Sequence, residues 1–339
     1  MAAKITNATF VGDIGASADF LGPGAIEINR YQTEILDLVK RRFVLGQRIN
    51  NTQATGQPSR YFEQTAIATA TYTNPRVIAP TATQPVRVER PISLKALVAQ
   101  INYSIFDVEV NQQQGVFAYL EAKDLTDTVD SVLKLHDQGL WVGNDTDLVL
   151  PQTTQYFGIS GQIVTAPTVG TASPAVPSTY VVPATGSLVD NFKTAVAQMV
   201  NRNDFEVRPN ALYMSPLLAD LFDQEAKTVQ LYFNEVEVVP GVIVKALPTQ
   251  AGLLPLIPDP ALTAITAPGT NSAGNANTLY TGFVLTEDLI EYHWLTSPVP
   301  RVFQLGLVGN LAGQFTVLKF GAVVAKGASY AHRALIVIR

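Results

Sequence analysis

Charged side chains are scarce in this chain: Lys and Arg number 23 and Asp and Glu 28, or 15% of 339 residues. Soluble domains usually carry about 25%. A protein of 36.5 kDa folded alone exposes on the order of 13,000 Å², and charge normally covers much of that surface and keeps molecules apart. A chain this short of charge either enters a membrane or hides much of its surface against partners. The membrane reading fails, because no stretch approaches the ~18 consecutive apolar residues of a spanning helix. The most apolar runs, such as Leu253–Ile257 and Leu335–Ile338, are strand-length. What is left is a subunit built for extensive assembly.

Other composition figures agree. Hydrophobic residues make up 47%, enough for a substantial core, and the length allows two or three domains. Cysteine is absent, which excludes disulfides, thiolate metal sites and thiol nucleophiles. The first residues, MAAK, lack the apolar core of a signal peptide, so the chain is expected to stay in the cytoplasm where it is made. A net charge of −5 argues against tight binding to nucleic-acid phosphates.

Residues 1–24 are broken by Gly12, Gly15, Gly22, Pro23 and Gly24, and helical spacing from Ile28 through Val39 predicts a helix from Ile26 to about Phe43. Residues 46–91 are rich in Gln, Thr, Asn and Pro, with strand signals at Tyr61-Phe62 and Val86–Glu89. They read as a long projecting hairpin, too polar to make its own core and marginal in water unless it lies on another surface. Its charges are Arg48, Arg60, Glu63, Arg76, Arg87, Glu89 and Arg90, with no lysine. Residues 92–109 read as strand, with a bulge near Gln100 where the alternation of Leu94, Ala96 and Val98 gives way to that of Ile101, Tyr103 and Ile105.

A long helix is expected from about Asn111 to His136, closed by Gly139, with Leu125, Val129, Val132, His136 and Leu140 on one stripe. No charge occurs between Leu148 and Val189, a stretch read as an ordered loop or short-stranded insertion. Ser187 with Asp190 resembles a capping box for a helix that ends at Asn203-Asp204. Pro209–Met214 is a buried strand, and Ser215 caps a second helix opening on Pro216. Strands follow at Val236–Val244 and Leu247–Ile257, broken by Pro240-Gly241 and Pro248. After an uncharged loop from Pro260 to Leu279, further strands lie at Leu279–Leu285, Ile290–Trp294, Val302–Leu307, Gln314–Val324 and Arg333–Ile338.

Catalytic chemistry is thinly represented. His136, His293 and His332 are far apart, without metal-ligand spacing, and read as structural. The densest acidic group is Glu287, Asp288, Glu291 and His293; period-two geometry places Glu291 and His293 on one face and Asp288 on the other, so a solvated strand edge outweighs a metal-dependent hydrolase site. Gly306, Gly309 and Gly313 match no phosphate-cradling pattern, and no GxSxG elbow occurs. Asp124, Asp127 and Asp130 read as a solvated or partner-facing helix stripe.

The order of elements carries more. An arm, a polar hairpin and a strand-to-long-helix unit ending in DQGLWVGND (Asp137–Asp145) precede a helix–strand–helix layer, SLVDNFKTAVAQMVNRNDFEVRPNALYMSPLLADLFDQ (Ser187–Gln224). Then come VEVVPGVIVKALP (Val236–Pro248) and the C-terminal FTVLKFGAVVAKGASYAHRALIVIR (Phe315–Arg339). Over nearly its whole length the chain resembles the major capsid proteins of tailed double-stranded DNA bacteriophages, whose fold encapsulins share. The resemblance lies in order and spacing, not in a signature motif.

The resemblance implies an α+β capsid fold: an N-terminal arm and helix (1–45), an extended E-loop hairpin (46–91), a peripheral domain with a spine helix (92–147), an axial α/β domain (148–294) and C-terminal strands completing both sheets (295–339). It implies a structural, non-enzymatic shell subunit of hexamers and pentamers around packaged DNA, without cofactor or metal, in the virion after assembly in the host cytoplasm. Separate scaffolding, portal and decoration proteins are the expected partners. Arg60, Glu63, Arg76, Arg87, Glu89 and Arg90 are expected at contacts between subunits. The absence of an E-loop lysine predicts no isopeptide crosslink of the kind that some family members form. The alternatives are an encapsulin-type compartment, a tail-tube or sheath subunit, and an acidic-site hydrolase.

Overall fold

The computed structural model describes residues 44–338 except 77–82, most of 105–119, 151–152, 165–177, 183–185, 202–205, 229–233, 240–241, 266, 271–275, 309–311 and 329. The expected N-terminal arm and its helix lie outside the described residues. The chain runs through β1 (Asn50–Gln53), β2 (Ser59–Ala66), β3 (Val86–Ile92), β4 (Lys95–Ser104), α1 (Leu120–Trp141), α2 (Ile159–Val164), β5 (Thr179–Val182), α3 (Leu188–Val200) and β6 (Ala211–Met214). It continues through α4 (Pro216–Thr228), β7 (Asn234–Val239), β8 (Val242–Thr249), β9 (Gly252–Pro258), β10 (Ala267–Thr270), β11 (Ala276–Leu285), β12 (Ile290–Trp294), β13 (Arg301–Val308), β14 (Ala312–Ala325) and β15 (Arg333–Ile338).

Two sheets organise the body. In the five-stranded sheet, β14 pairs with β4 along one edge and with β13 and β12 along the other, and β1 adds parallel to β12. The eight-stranded sheet has the order β5-β15-β11-β6-β9-β8-β7, with β10 on β11. The hairpin β2–β3 is a separate two-stranded sheet.

Period-two alternation explains why the larger sheet is buried on both faces. Leu212 and Met214 of β6, Val284 of β11 and Leu335 and Val337 of β15 pack with Phe192, Val196, Leu218 and Phe222 of α3 and α4. The neighbouring positions Ala211, Tyr213, Phe283, Leu285 and Ala334 enter a second core with Leu140, Trp141, Ile159 and Ile163. That second core also takes Tyr292 and Val323 from the five-stranded sheet, so the end of α1 is packed between the two sheets. Trp141 Nε1 donates to Asp259 Oδ2 at 2.8 Å, which satisfies a buried indole and a buried carboxylate together.

Local capping follows the sequence. Ser187 Oγ accepts from the Asp190 N–H at 3.1 Å at the start of α3, and Ser215 Oγ accepts from the Leu218 N–H at 3.3 Å beside Pro216, the first residue of α4.

Several boundaries differ from the sequence reading. No bulge interrupts β4: its register with β14 runs unbroken from Lys95↔Gly321 to Ser104↔Ala312. Leu97, Ala99 and Ile101 share the half-buried face, while Val98 points outward. Helix α1 passes through Gly139 to Trp141; the glycine is there because a Cβ would meet the Tyr156 ring at 2.9 Å. Helix α3 ends at Val200, capped by Asn201, before Asn203-Asp204. Pro248 lies inside β8, paired with β9 and beyond the described pairing with β7, so no described second neighbour needs its missing N–H. Residues 260–279 are not a loop: Pro260–Ile265 forms a 3-10 turn and β10 pairs with β11 as a hairpin. In the charge-free stretch before α3 the described elements are α2 and β5.

Candidate assembly surface

The hairpin has one face turned to the body and one left open. Pairing runs from Ser59↔Ile92 to Ala66↔Val86, with an irregularity after Gln64. Ser59, Tyr61 and Glu63 are turned inward, while Arg60, Phe62 and Gln64 alternate outward. Phe62 is 72% exposed and Val86 50%, and beyond the paired residues Ile67 is 78% exposed and Tyr72 fully so. Large apolar side chains left open on a projecting hairpin are the chemistry of a contact surface.

Five of the six charges named for subunit contacts have partners inside the hairpin. Arg60 pairs with Glu89 at 2.8 Å, Arg90 with Glu63 at 3.0 Å, and Arg87 Nε donates to Gln64 Oε1 at 3.5 Å. Arg76 lies exposed in the turn beyond the strands. Arg60, Glu89 and Arg87 set the pattern of charge on the Phe62 face, whereas the Arg90–Glu63 pair lies on the face toward the body.

At the hairpin's root, a polar row joins it to β12 and β14. Ser59 Oγ lies 2.9 Å from His293 Nδ1, and His293 Nε2 lies 3.2 Å from Glu291 Oε2. Glu291 also bonds Lys326 and accepts from Thr52 Oγ1 at 3.2 Å. Burial, the largest influence, raises the Glu291 carboxyl, but the bond and charge of Lys326, the bond from Thr52 and the charge of His293 together outweigh it, and the group sits below its usual range. The ionised carboxylate therefore takes the Nε2–H of a neutral ring, leaving Nδ1 to accept from Ser59. Burial holds His293 below its ordinary value against the opposing pull of Glu291. Glu63 Oε1 accepts from the Gly327 N–H at 3.0 Å, and Lys326 sits over the Tyr61 ring at 5.4 Å. Serine, imidazole and carboxylate stand in the order of a hydrolase relay. Yet Ser59 is only 2% exposed, closed to any substrate carbonyl, and the row fixes the root of the hairpin to β12.

A second clamp holds the segment leading into the hairpin. Arg48 makes two 2.7 Å bonds to Glu287, which also accepts from Tyr213 Oη of β6. The Asn210 side chain accepts from the Glu287 N–H at 2.8 Å. Glu287 and Glu291 thus serve two different clamps, and His293 joins only that of Glu291. Among the described residues no group of three or more acidic or histidine side chains has metal-binding geometry.

His136 and His332 are buried inside the body. His136 Nδ1 lies 3.3 Å from the Tyr156 hydroxyl, and Lys319 sits over the adjacent Tyr292 ring at 4.7 Å. Burial lowers His136 well below its usual value, with Lys319 adding to the effect, and pushes Lys319 itself down to about 8. Neither the Ser59–His293 row nor the Arg48–Glu287 clamp was foreseen. The only sequence signal was the shared face of Glu291 and His293.

No protein-family model matches the chain, and no curated protein matches it. Solved structures do. The capsid of cyanophage A-1(L) has a TM-score of 0.63 at 12% identity, covering 93% of this chain and 98% of that one. The capsid of Myoviridae phage XM1 scores 0.58 at 11% identity, covering 93% and 99%. The SrpI encapsulin of Synechococcus elongatus PCC 7942 scores 0.52 at 10% identity, covering 94% of each. The fold is that of tailed-phage capsid proteins and encapsulins, over nearly the whole chain.

Proposed function

We propose that this chain is the major capsid protein of a tailed double-stranded DNA bacteriophage, a structural and non-enzymatic subunit that assembles into hexamers and pentamers of an icosahedral shell. The observation that carries the reading is a hairpin whose open face presents an exposed Phe62 among Arg60, Arg87 and Glu89, attached to a body of capsid fold that matches phage shells nearly end to end. Burial against copies of itself accounts for the missing charge.

In this reading residues 1–45 form the arm and 46–91 the E-loop laid across a neighbour. Residues 92–147, with part of 295–339, form the peripheral domain on the spine helix α1. Residues 148–294 form the axial domain, completed by the rest of the C-terminal strands. Each exposed ion pair between subunits contributes about 0–1 kcal/mol, but many contacts per subunit act together. A separate scaffolding protein, a portal and a decoration protein complete the particle, and the mildly acidic lining confines DNA without gripping it. The shell forms in the host cytoplasm.

Reversing the charges, Arg87→Glu with Arg90→Glu, should abolish particles while leaving a folded subunit by circular dichroism; normal particle yield overturns the assignment of these residues. An encapsulin-type compartment is the second reading, favoured by the SrpI likeness. Electron microscopy separates the two: DNA-filled, tailed particles support the phage shell, and tailless particles holding protein support the compartment.

A further inference from the structure

We propose that in the assembled shell the exposed tip of one subunit's hairpin, Ile67–Asn74, adds as a strand to the edge of β4 opposite β14 in a second copy. This contact rests on the shell reading above and names the surface that receives the hairpin.

Strand β4 is ten residues long and, among the described residues, hydrogen-bonded along one edge only, to β14. Exposed edges are normally blunted by shortness, a bulge, proline or an outward charge, because unpaired N–H and C=O groups recruit other strands. Among the described residues this edge has none of these devices. Its register is unbroken, and KALVAQINYS contains no proline. Its one charge, Lys95, is drawn away to the Asp145 carboxylate and the Thr153 carbonyl. Val98, halfway along, is 54% exposed.

The tip has the complementary deficit. Pairing within the hairpin stops at Ala66↔Val86, and Ile67–Asn74 follows outside any strand with every residue exposed. Among the described residues its backbone is held at Thr69, whose N–H donates to Thr83 Oγ1 at 2.7 Å, and no backbone–backbone bond is made. Its sequence, IATATYTN, is rich in strand-forming Thr, Ile and Tyr, and no charge occurs between Glu63 and Arg76. Eight tip residues would extend about 26 Å, a span that ten-residue β4 accommodates. The eight-residue strand β2 holds the tip about 26 Å from the root, where Ser59 is pinned on His293. A neutral tip on a neutral edge needs no matching charge and suffers no repulsion. The occupant is a second copy because the chain's charge shortage and the open Phe62, Ile67 and Tyr72 are those of a self-assembling subunit. Strand addition would satisfy both sets of backbone groups at once.

The chain has no cysteine, so disulfide trapping reads the contact directly. Thr69→Cys, Thr71→Cys and Thr73→Cys in the tip are each co-assembled with Val98→Cys or Gln100→Cys in β4, then oxidised and run on non-reducing gels. The expected result is a linked dimer in at least one mixed pairing and in neither variant assembled alone. Normal particles without any mixed crosslink overturn the contact while leaving the shell reading intact; wild-type protein that never forms particles overturns the shell reading instead. Hydrogen exchange supplies the second measurement. The β4 amides should exchange readily in the unassembled subunit and become protected in particles. Protection already complete in the free subunit would mean that the chain covers its own edge, and would overturn the proposal.

Discussion

Strand β6 and strand β2 differ in what surrounds them. All four residues of β6 are buried, between helices on one face and a second core on the other. The eight residues of β2 alternate, and every second side chain is left open. The body therefore carries its own stability, whereas the hairpin has an inward face that fixes its position and an outward face that stabilises nothing within one chain. Phe192 and Phe62 sharpen the contrast. Phe192 is fully buried and stacked on Phe222 with ring centroids 5.2 Å apart. Phe192→Ala should cost about 3–5 kcal/mol in chemical denaturation of the free subunit. Phe62→Ala should leave that curve unmoved and lower particle yield. Equal losses of subunit stability would break the distinction.

Acid tests the same contrast through histidine. His332 is wholly buried; its Nδ1 accepts from the Thr286 N–H at 3.3 Å and its Nε2–H donates to the Lys326 carbonyl at 3.1 Å. Burial lowers it from 6.5 to about 4. Above pH 6.5 the ring is neutral in folded and unfolded chains alike, so nothing is lost. As pH falls, the unfolded chain takes the proton first and stability declines until about pH 4, where the folded ring takes it too. The loss is about 3 kcal/mol across that window. Denaturation at stepped pH should show it, and His332→Asn should remove it. His293 shifts in the same direction, but Glu291 opposes the shift, so His293→Asn should change the slope less.

The parts of this architecture that were legible in the sequence are those whose chemistry is local. Ser187 and Ser215 each cap a helix through an N–H three residues on, and the buried strand between those helices is bounded by its own neighbours. The clamps were not legible, because Arg48 meets Glu287 across 239 positions and Ser59 meets His293 across 234. Spacing along the chain carries no trace of such pairs. The false bulge at Gln100 has a different cause. Strand β4 carries apolar residues on both faces, Leu97 and Ile101 inward and Val98 outward, so its alternation is blurred. An outward valine defeats pattern reading for the same reason that it suits a partner: it is apolar without being core.

The Arg48–Glu287 clamp lies between the two regions and should fall between them in effect. Both side chains are mostly buried, and Glu287→Gln replaces two charge-assisted bonds with weaker ones. The free subunit should lose about 1.5–3 kcal/mol. Hydrogen exchange of β1 should rise more than that of β6, since the clamp ties the hairpin's leading segment to a sheet that is already secure. Equal changes in both strands would place the clamp in the body's core instead.

The smallest effect is expected at Arg60 and Glu89. Their 2.8 Å contact is open to water, at 59% and 42% side-chain exposure. A double-mutant cycle on the free subunit should give an interaction of about 0–1 kcal/mol, smaller at high salt. If the outward face of the hairpin is buried against a second copy, the same cycle measured on particle dissociation should give a larger coupling, because neighbouring protein displaces the screening water. An identical value in subunit and particle would mean that the pair still faces solvent in the shell, and the contact surface would then have to be drawn on the apolar positions around Phe62 without these charges.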